Sequence, residues 1–372
     1  MAELVLHAVS KIYRSRRKAE VHAVKDLTLT VKAGEIVALL GSSGCGKTST
    51  LRMIAGFEDV TVGSITLGGR PIHTLPPSQR NVAMAFETYS LYPPLTIGDN
   101  MEFALKASKL SSAEAATKVK AMAELLEISN ILQKYPSSIS GGQQQRASLG
   151  RALVRTADLY LLDEPMGQLE PQLRAVLRGR IKHYLRENHC TSILVTHDQT
   201  EANALADRIA VMEAGLLQQY ASPDELKSKP SNLFTGTFIG EPPMNVFDAT
   251  MSLTKSNLAF DLGDSCILQY PIKEFGMGIL NSISGSKKVV LGVRPHAVHI
   301  GQGAIKGVIS SCQWLGDQTH IAVEVAGRTV VAVSQARVSA KPGQTASLGF
   351  DAEALHIFDP ETGAAISHGG AT

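Results

Sequence analysis

The chain has 372 residues, of which 44% are apolar and 19% are charged. A prior of about 150 residues per domain predicts two to three domains with enough apolar material for packed cores. Because the 36 lysines and arginines nearly balance the 34 acidic residues, the composition argues against a broad basic surface for nucleic acid phosphates and leaves room only for a local basic patch. The sequence contains no apolar run of membrane-spanning length and does not begin like a signal peptide. The composition predicts a globular cytosolic protein.

The first third of the chain predicts strands and then a helix. Residues 3–9 and 26–31 alternate between apolar and polar side chains, as half-buried antiparallel strands do. Residues 35–40 form a continuous apolar run that ends at Gly41, which is typical of a strand buried on both faces. A glycine-rich turn follows, and the spacing of apolar residues after Lys47 predicts a helix that ends at Gly56.

The middle of the chain predicts a helical region followed by alternating strands and helices. The region from about 90 to 155 has few strand signals and carries apolar residues at helical spacing. Buried-strand signals return at residues 159–162, 192–195 and 208–212, and a helix is indicated between the first two of these strands. This alternation predicts a mostly parallel sheet.

The pattern changes near residue 236, where glycines precede Pro242 and Pro243. From there on, short apolar runs are separated by Gly, Asp, Asn and Ser, which favours a small all-β barrel. We therefore predict one domain over residues 1–238, with its helical subdomain at about 90–155, and a second over residues 239–372. Predicted strands of the second domain cover residues 288–293, 305–314, 320–325, 329–333 and 346–350, and a frayed tail is expected from Ser367.

The glycine-rich turn carries a phosphate-binding (Walker A) pattern. The segment Gly41-Ser-Ser-Gly-Cys-Gly-Lys47-Thr48 fits G-x-x-x-x-G-K-[ST] between a buried strand and a helix. Glycines let backbone N–H groups curl around phosphates, and the helix presents its positive N-terminal end. Lys47 is expected to reach the β- and γ-phosphates, and the Thr48 hydroxyl to ligate Mg²⁺. The pattern predicts nucleotide binding.

A second motif has the form of a Walker B strand. The run Leu159-Tyr-Leu-Leu leads into Asp163 and Glu164, as a buried strand ending at a site would. Asp163 is expected to hold Mg²⁺ through a water molecule bound to the ion. Glu164 is expected to accept a proton from a different water, the one that attacks the γ-phosphate. A strand that ends in Asp-Glu is, by itself, more often an ordinary solvated strand end than a catalytic site. The phosphate loop in the same chain makes the catalytic interpretation the better one.

A third motif, Ile139-Ser140-Gly141-Gly142-Gln143-Gln144-Gln145-Arg146, resembles the signature motif of ATP-binding cassette (ABC) ATPases. In that family, Ser140 and Gly142 would bind the γ-phosphate of an ATP held by the opposite subunit. Tyr13 matches the aromatic residue that stacks on adenine, and His197 matches the switch histidine. The resemblance extends over the whole chain, because residues 238–245 and the segment Gly292-Val-Arg-Pro295 look like those of carbohydrate-importer ATPases.

The resemblance implies an α/β fold, in which a P-loop ABC ATPase domain with a largely parallel sheet precedes a small OB-like regulatory domain. Such a fold does not itself imply oligonucleotide binding. The motifs and the resemblance together predict ATP binding by Tyr13, Gly41, Ser42, Ser43, Gly44, Cys45, Gly46, Lys47, Thr48, Ser49, Glu87, Ser140, Gly141, Gly142 and Gln143. They predict Mg²⁺ binding by Thr48, Asp163 and Glu87, and catalysis by Glu164, His197 and Lys47.

Two positions depart from the family pattern. Glu87 replaces a loop glutamine, and an ionised carboxylate can ligate Mg²⁺ but offers no N–H donor. The segment after the catalytic glutamate ends in Glu170 where the family has aspartate. One hypothesis is that the chain pairs with a different ATPase paralogue, so that the two composite sites are altered differently. The alternative is a homodimer that tolerates both changes.

The resemblance implies the ATP-hydrolysing subunit of a bacterial importer for a sugar, polyol or glycerol derivative. Its expected partners are a second ATPase subunit and two transmembrane permease subunits, which would contact the groove formed by residues 86–96. A periplasmic or lipid-anchored solute-binding protein is an indirect partner. No nucleic acid partner is expected. The chain would lie at the cytoplasmic face of the inner membrane, held by the permease. An importer of polyamines or inorganic anions is the first alternative, and a soluble ABC ATPase acting on DNA or ribosomes is the second.

Overall fold

A computed structural model of the chain describes residues 2–15, 18–254, 256–263, 266–275, 286–325 and 327–369. Its residues form two units, Met1–Pro223 and Asp224–Thr372. The domain boundary that the sequence suggests after residue 238 stays a prediction. The two units are described separately below.

The first unit opens with a four-stranded antiparallel sheet in the order β2-β1-β4-β5. Both strands predicted near the start of the chain are confirmed, and both are longer than the alternating runs. Leu27, Leu29 and Val31 are buried, whereas Thr28 is exposed, as the alternation requires. The strand bounds are β1 Leu4–Ser15, β2 Lys18–Val31, β4 Val62–Leu67 and β5 Arg70–Pro71.

A six-stranded sheet in the order β10-β9-β3-β8-β7-β6 forms the centre of this unit. Its bounds are β3 Ile36–Gly41, β6 Val82–Ala85, β7 Leu159–Asp163, β8 Ser192–Thr196, β9 Arg208–Glu213 and β10 Leu216–Ala221. Neighbours pair in parallel except β10, which is antiparallel to β9. The prediction of a mostly parallel sheet is confirmed. Since β3, β8 and β7 are neighbours, their carboxyl ends meet at one edge of the sheet, where α/β proteins bind ligands.

The helices of this unit are α1 Lys47–Ala55, α2 Ile97–Phe103, α3 Ser112–Leu125, α4 Gly141–Leu153, α5 Pro171–Glu187 and α6 Gln199–Leu205. Three of them, α2 to α4, fall in the region predicted to be helical. Each of these three begins with a capping box, in which Thr96, Ser111 or Ser140 bonds reciprocally with the third helical residue. In the part of the chain that the structure describes, no helix is long and apolar enough to cross a membrane.

The second unit is mainly antiparallel β-structure. Two sheets, β13-β12-β11-β14-β19-β20 and β17-β16-β15-β18, contribute apolar residues to one core, including Phe260, Leu291, Ile321 and Leu348. Its strands are β11 Asn245–Leu253, β12 Asn257–Asp261, β13 Ile267–Pro271, β14 Lys287–Val293, β15 Val298–Trp314, β16 Thr319–Val325, β17 Arg328–Ser334, β18 Thr345–Phe350, β19 Leu355–Phe358 and β20 Ala365–His368, and its short helices are α7 Pro223–Ser228 and α8 Leu233–Phe238.

All five strands predicted for this unit are present, and its described residues contain five others that were not predicted. The expected frayed tail is wrong for Ser367 and His368, because β20 pairs with β19 there. The last three residues of that predicted tail lie outside the described residues. The strands β19 and β20 are only four residues long, which is too short for a pattern to be recognised in the sequence.

Candidate ATPase site

The phosphate loop joins β3 to α1, and two of its glycines cannot be replaced without a clash. A Cβ at Gly41 would lie 2.1 Å from the Met212 carbonyl oxygen, and one at Gly46 would lie 2.3 Å from that of Ala23. Gly46 also has φ 107° and caps α1 without a side-chain hydrogen bond. The first N–H groups of α1 therefore keep no side-chain partner at the cap, which is the arrangement that binds anions.

Lys47 is buried and its ammonium group is held by its own loop. Nζ donates to the carbonyl oxygens of Gly41 at 2.8 Å and Ser42 at 2.9 Å, and lies 3.6 Å from Cys45 Sγ. Burial raises the pKa of the Cys45 thiol, although Lys47 opposes the shift. The loop thus contains one fixed positive charge beside a neutral thiol.

The other loop residues predicted to bind nucleotide line the same turn. Ser42 Oγ donates to Glu213 Oε2 at 2.5 Å, Ser43 is exposed, and a Cβ at Gly44 (φ 78°) would meet open space. Thr48 and Ser49 are half-buried at the start of α1. Exposed backbone and small side chains leave room for phosphates against the loop.

Asp163 ends β7 as a buried carboxylate, with 5% of its surface exposed. Its Oδ1 has no hydrogen-bond partner among the described residues. Burial raises the pKa of Asp163 to about 6, with further contributions from the carboxylates of Glu87 and Glu164, while Arg52 and Lys47 oppose the shift. A buried carboxylate oxygen without a partner is a group that a cation would satisfy.

Glu164 and His197 form a direct pair. Glu164 Oε1 lies 2.9 Å from His197 Nδ1, although the residues are 33 positions apart. Glu164 has a positive φ of 48°, which is rare for this residue type and typical of strained functional positions. Only 17% of its side chain is exposed, compared with 73% for His197. His197 therefore orients a largely buried carboxylate from its solvent side.

The signature motif forms the first turn of α4. Ser140 caps the helix, accepting from the Gln143 N–H at 3.3 Å, and its own N–H donates to Gln143 Oε1 at 3.0 Å. A Cβ at Gly142 would lie 3.0 Å from the Gln168 carbonyl oxygen, and one at Gly141 would lie 3.5 Å from Tyr89 Oη. The motif thus packs against the segment that follows Glu164.

Gln145 connects α4 to that segment, a role that the sequence did not reveal. Its Nε2 donates to the Glu164 carbonyl oxygen at 2.7 Å, and its Oε1 accepts from the Gln168 N–H at 2.9 Å. Only 4% of Gln145 is exposed. It lies in the quoted motif, but one sequence does not tell which of three consecutive glutamines faces inward.

Tyr13 and Glu87 lie at the two remaining predicted positions. Tyr13 is partly exposed, its hydroxyl lies 3.2 Å from Ser49 Oγ, and Lys11 Nζ lies 4.9 Å from its ring centroid. Glu87 is exposed in the turn after β6, and its charge acts on both Asp163 and Tyr89. The structure therefore brings Glu87 into the electrostatic surroundings of Asp163.

Glu201 is a second residue that sequence reasoning missed. It is 2% exposed, its Oε2 accepts from Thr196 Oγ1 at 2.7 Å, and its Oε1 has no partner among the described residues. Burial raises the pKa of Glu201 to about 7, helped by the carboxylates of Asp198 and Glu164 and opposed by the Thr196 bond. No sequence pattern marks a glutamate that becomes buried because α6 packs against β3, β8 and α5.

Two family models match the chain. Residues 24–167 match the ABC transporter model, and residues 291–358 match the TOBE domain model. Among solved structures, the ATP-binding cassette MJ0796, a dimer in a post-hydrolysis state bound to ADP and Pi, is similar with a TM-score of 0.55 and 25% identity. That similarity covers 59% of this chain and 98% of the other.

Curated relatives are similar over nearly their full length. The trehalose/maltose import ATP-binding protein MalK of Thermococcus litoralis is 39% identical, covering 93% of this chain and 96% of that protein. The sn-glycerol-3-phosphate import ATP-binding protein UgpC of Cereibacter sphaeroides is 37% identical, covering 98% and 99%. The trehalose import ATP-binding protein SugC of Mycobacterium tuberculosis is 36% identical, covering 99% of both. With its phosphate loop and signature helix, this chain belongs to the ATP-binding proteins of ABC transporters.

Proposed function

We propose that the chain is the ATP-hydrolysing subunit of an importer and that Glu164 is its general base. The observation that carries the proposal is the 2.9 Å contact between Glu164 Oε1 and His197 Nδ1, at the sheet edge where the phosphate loop also lies. A carboxylate that is oriented by a second group and adjoins a phosphate site has the arrangement that activates water.

The chain's own residues supply most of the chemistry. Lys47 and the N–H groups at the start of α1 would bind the phosphates and stabilise the charge that develops on them. Glu164 would take the proton of the attacking water, and His197 would hold the carboxylate in position. Gln145, which bonds the backbone of the Glu164 segment, would keep that segment in register with the signature helix. Tyr13 would stack on the adenine.

The acidic residues fit a divalent cation. Asp163 offers a buried oxygen without a partner among the described residues, and burial together with neighbouring negative charge raises its pKa. Thr48 lies in the first turn of α1, directly after the phosphate loop. Mg²⁺ bound by Thr48 and Asp163, beside Glu87, would neutralise phosphate charge. A carboxylate at position 87 adds negative charge where the family has a neutral amide.

A complete site would need a second ATPase subunit. Ser140, Gly141, Gly142 and Gln143 form the N-terminal turn of a 13-residue helix, whose dipole and N–H groups favour the γ-phosphate of an ATP on the partner subunit. The similarity to a dimeric cassette supports this arrangement. Both a second copy of this chain and a paralogue fit it.

A permease is the proposed membrane partner. A cavity of about 350 Å³ in the first unit is lined by the aromatic side chains of Phe57, Phe86, Tyr92 and Phe103 together with Arg151. Arg151 is placed by its bonds to the carbonyl oxygens of Ser90 and Tyr89. Protein-binding grooves are rich in aromatic residues and arginine. This groove therefore suits a short helix of a permease. That contact would hold the chain at the cytoplasmic face of the membrane.

The proposed substrate class is a sugar, polyol or glycerol derivative. Its support is the set of relatives named for trehalose, maltose and glycerol-3-phosphate import, which align over nearly the whole chain. A solute-binding protein would deliver the substrate to the permease.

The test is the substitution Glu164→Gln, which keeps the shape of the side chain but removes the base. We expect the steady-state ATPase rate to fall by about 10²-fold or more while the Kd for ATP, measured by fluorescence titration, is unchanged. Glu187→Gln, an exposed residue at the end of α5, is the matched control. Retained hydrolysis in Glu164→Gln would remove Glu164 as the base.

A further inference from the structure

The second unit contains a cavity of about 870 Å³ with a largely basic wall. Its lining includes three cationic side chains and three histidines: Lys227, Lys229, Arg294, His296, His356 and His368. The volume lies in the range of small-molecule sites. All its lining residues belong to Asp224–Thr372, so the cavity is separate from the residues assigned to ATP hydrolysis and the inference goes beyond that function.

Arg294 is a buried cation in the wall of this cavity, with 9% of its surface exposed. The acceptors of its guanidinium are backbone carbonyl oxygens, including Lys227 at 2.9 Å from Nε and Ile239 at 2.5 Å from Nη1. Burial lowers the pKa of Arg294 to about 10. Its Nη2 is buried and has no partner in the part of the chain that the structure describes. A buried guanidinium with an unused donor is costly unless an anion joins it.

Two histidines add neutral hydrogen-bonding groups. The Nδ1 atoms of His356 and His368 lie 3.0 Å apart. One ring therefore carries its proton on Nδ1 and donates a hydrogen bond to the bare Nδ1 of the other ring. The ring with the bare Nδ1 then has an Nε2–H donor, and its neighbour has a bare Nε2 acceptor. Burial, with His368 and Arg294, lowers the pKa of His356 to about 3, and burial also lowers that of His368. The pair is therefore neutral at pH 7.

The cavity is suited to an oxygen anion that also carries hydroxyl groups. Asp224 and Glu353 line it together with the cations and would accept hydrogen bonds from hydroxyl groups. Among the described residues, no group of three His, Cys, Asp or Glu side chains is placed to hold a metal ion, so the histidine pair is not explained as a metal site. Arginine with lysine is the usual combination for a phosphoryl group.

We propose that this cavity binds the phosphoryl group of a small molecule, with Arg294 and Lys227 as its cationic contacts. The source would be either a phosphorylated polyhydroxy compound, whose hydroxyl groups Asp224 and Glu353 bind, or free inorganic phosphate. The volume, which exceeds the need of phosphate alone, favours the organic phosphate.

The experiment is isothermal titration calorimetry on the full chain, with Mg²⁺ and a non-hydrolysable ATP analogue at saturation so that the phosphate loop is occupied. The probes are glucose 6-phosphate, inorganic phosphate and glucose. We expect saturable binding of glucose 6-phosphate, no binding of glucose, and a Kd raised about tenfold or more by Arg294→Met.

Because Arg294 also bonds backbone carbonyl groups, its substitution alone would be ambiguous if the unit unfolded. Lys227→Met avoids this, since Lys227 is exposed and its hydrogen bond with Arg294 is made by its backbone carbonyl oxygen, which the substitution keeps. Lys306→Met, an exposed lysine on β15 away from the cavity, is the matched control. We expect Lys227→Met to weaken binding about tenfold and Lys306→Met to leave it unchanged.

The probes also separate the two sources. Tighter binding of glucose 6-phosphate than of inorganic phosphate would support the organic ligand, and binding of inorganic phosphate alone, with the same dependence on Lys227, would support free phosphate. Absence of binding by either probe, or equal binding by the Lys227→Met and Lys306→Met variants, would overturn the proposal.

Discussion

At the scale of single residues, buried carboxylates dominate the electrostatics of the ATPase site. Asp163 and Glu201 are 5% and 2% exposed, and each has a carboxylate oxygen without a partner among the described residues. Burial raises the pKa of both, to about 6 and about 7. Negative charge is therefore held in this region at a cost in stability, which a cation near Asp163 would reduce.

Glu201 gives a pH-dependent prediction. Its pKa of about 7 lies above the ordinary glutamate value of 4.5, so the folded protein holds this proton more tightly than the unfolded chain. The free energy of unfolding should therefore fall as pH rises between these two values. We expect Glu201→Gln to be more stable than the wild type at pH 8 by about 1–3 kcal/mol, with a much smaller difference at pH 5.

Urea unfolding at both pH values measures this effect, and Glu187→Gln on the exposed face of α5 controls for loss of a surface charge. An equal gain at pH 5 and pH 8 would mean that packing, rather than ionisation of Glu201, changed the stability.

At the scale of elements, the contact between α4 and the segment after β7 fixes the backbone at Glu164, the proposed general base. Gln145 forms two hydrogen bonds with that backbone, and a Cβ at Gly142 would be within 3.0 Å of it. The signature helix is thereby joined to the Glu164 segment of the same subunit, in addition to its proposed contact with ATP across a dimer.

Gln145→Ala removes both of these hydrogen bonds. We expect kcat for ATP hydrolysis to fall about tenfold while KM for ATP changes little, because the substitution misplaces Glu164 without touching the phosphate loop. Gln172→Ala, at an exposed position of α5, is the control. An unchanged kcat in Gln145→Ala would show that the segment holds its position without this residue.

The start of α5 gives a second prediction at this scale. Glu170 is the cap residue and Pro171 the first helical residue, and the Glu170 side chain makes no capping hydrogen bond. An aspartate there, one methylene shorter, accepts such a bond readily. We expect Glu170→Asp to raise the free energy of unfolding by about 0.5–1 kcal/mol, as measured by urea unfolding, whereas Glu170→Gln should not. A loss of stability in Glu170→Asp would contradict this account of the cap.

At the scale of the whole molecule, the proposed site depends on a second subunit and on membrane partners. Native mass spectrometry of the complex, purified through this chain from detergent-solubilised membranes, gives its stoichiometry directly. We expect two ATPase subunits together with permease subunits. Two copies of this chain would identify a homodimer, and one copy beside a different ATPase would identify a pair of paralogues. A chain recovered without any membrane protein would contradict the importer proposal.

The sequence by itself determined the features that depend on short spans of residues. The loop from Gly41 to Thr48, the apolar run ending at Asp163 and the strands β3, β7, β8 and β9 follow from local spacing, because backbone geometry repeats over two to four residues. The parallel strand β6, Val82–Ala85, was not predicted. The short strands β19 and β20 did not follow, since four residues give too little periodicity.

Only the tertiary structure decided which distant residues meet. The pair of Glu164 with His197 spans 33 positions, and the bond from Arg294 to the Lys227 carbonyl spans 67. Whether a glutamate is buried like Glu201, or an arginine like Arg294, depends on which elements pack over it. Sheet order and packing set those contacts, and neither is encoded in the spacing of neighbouring residues.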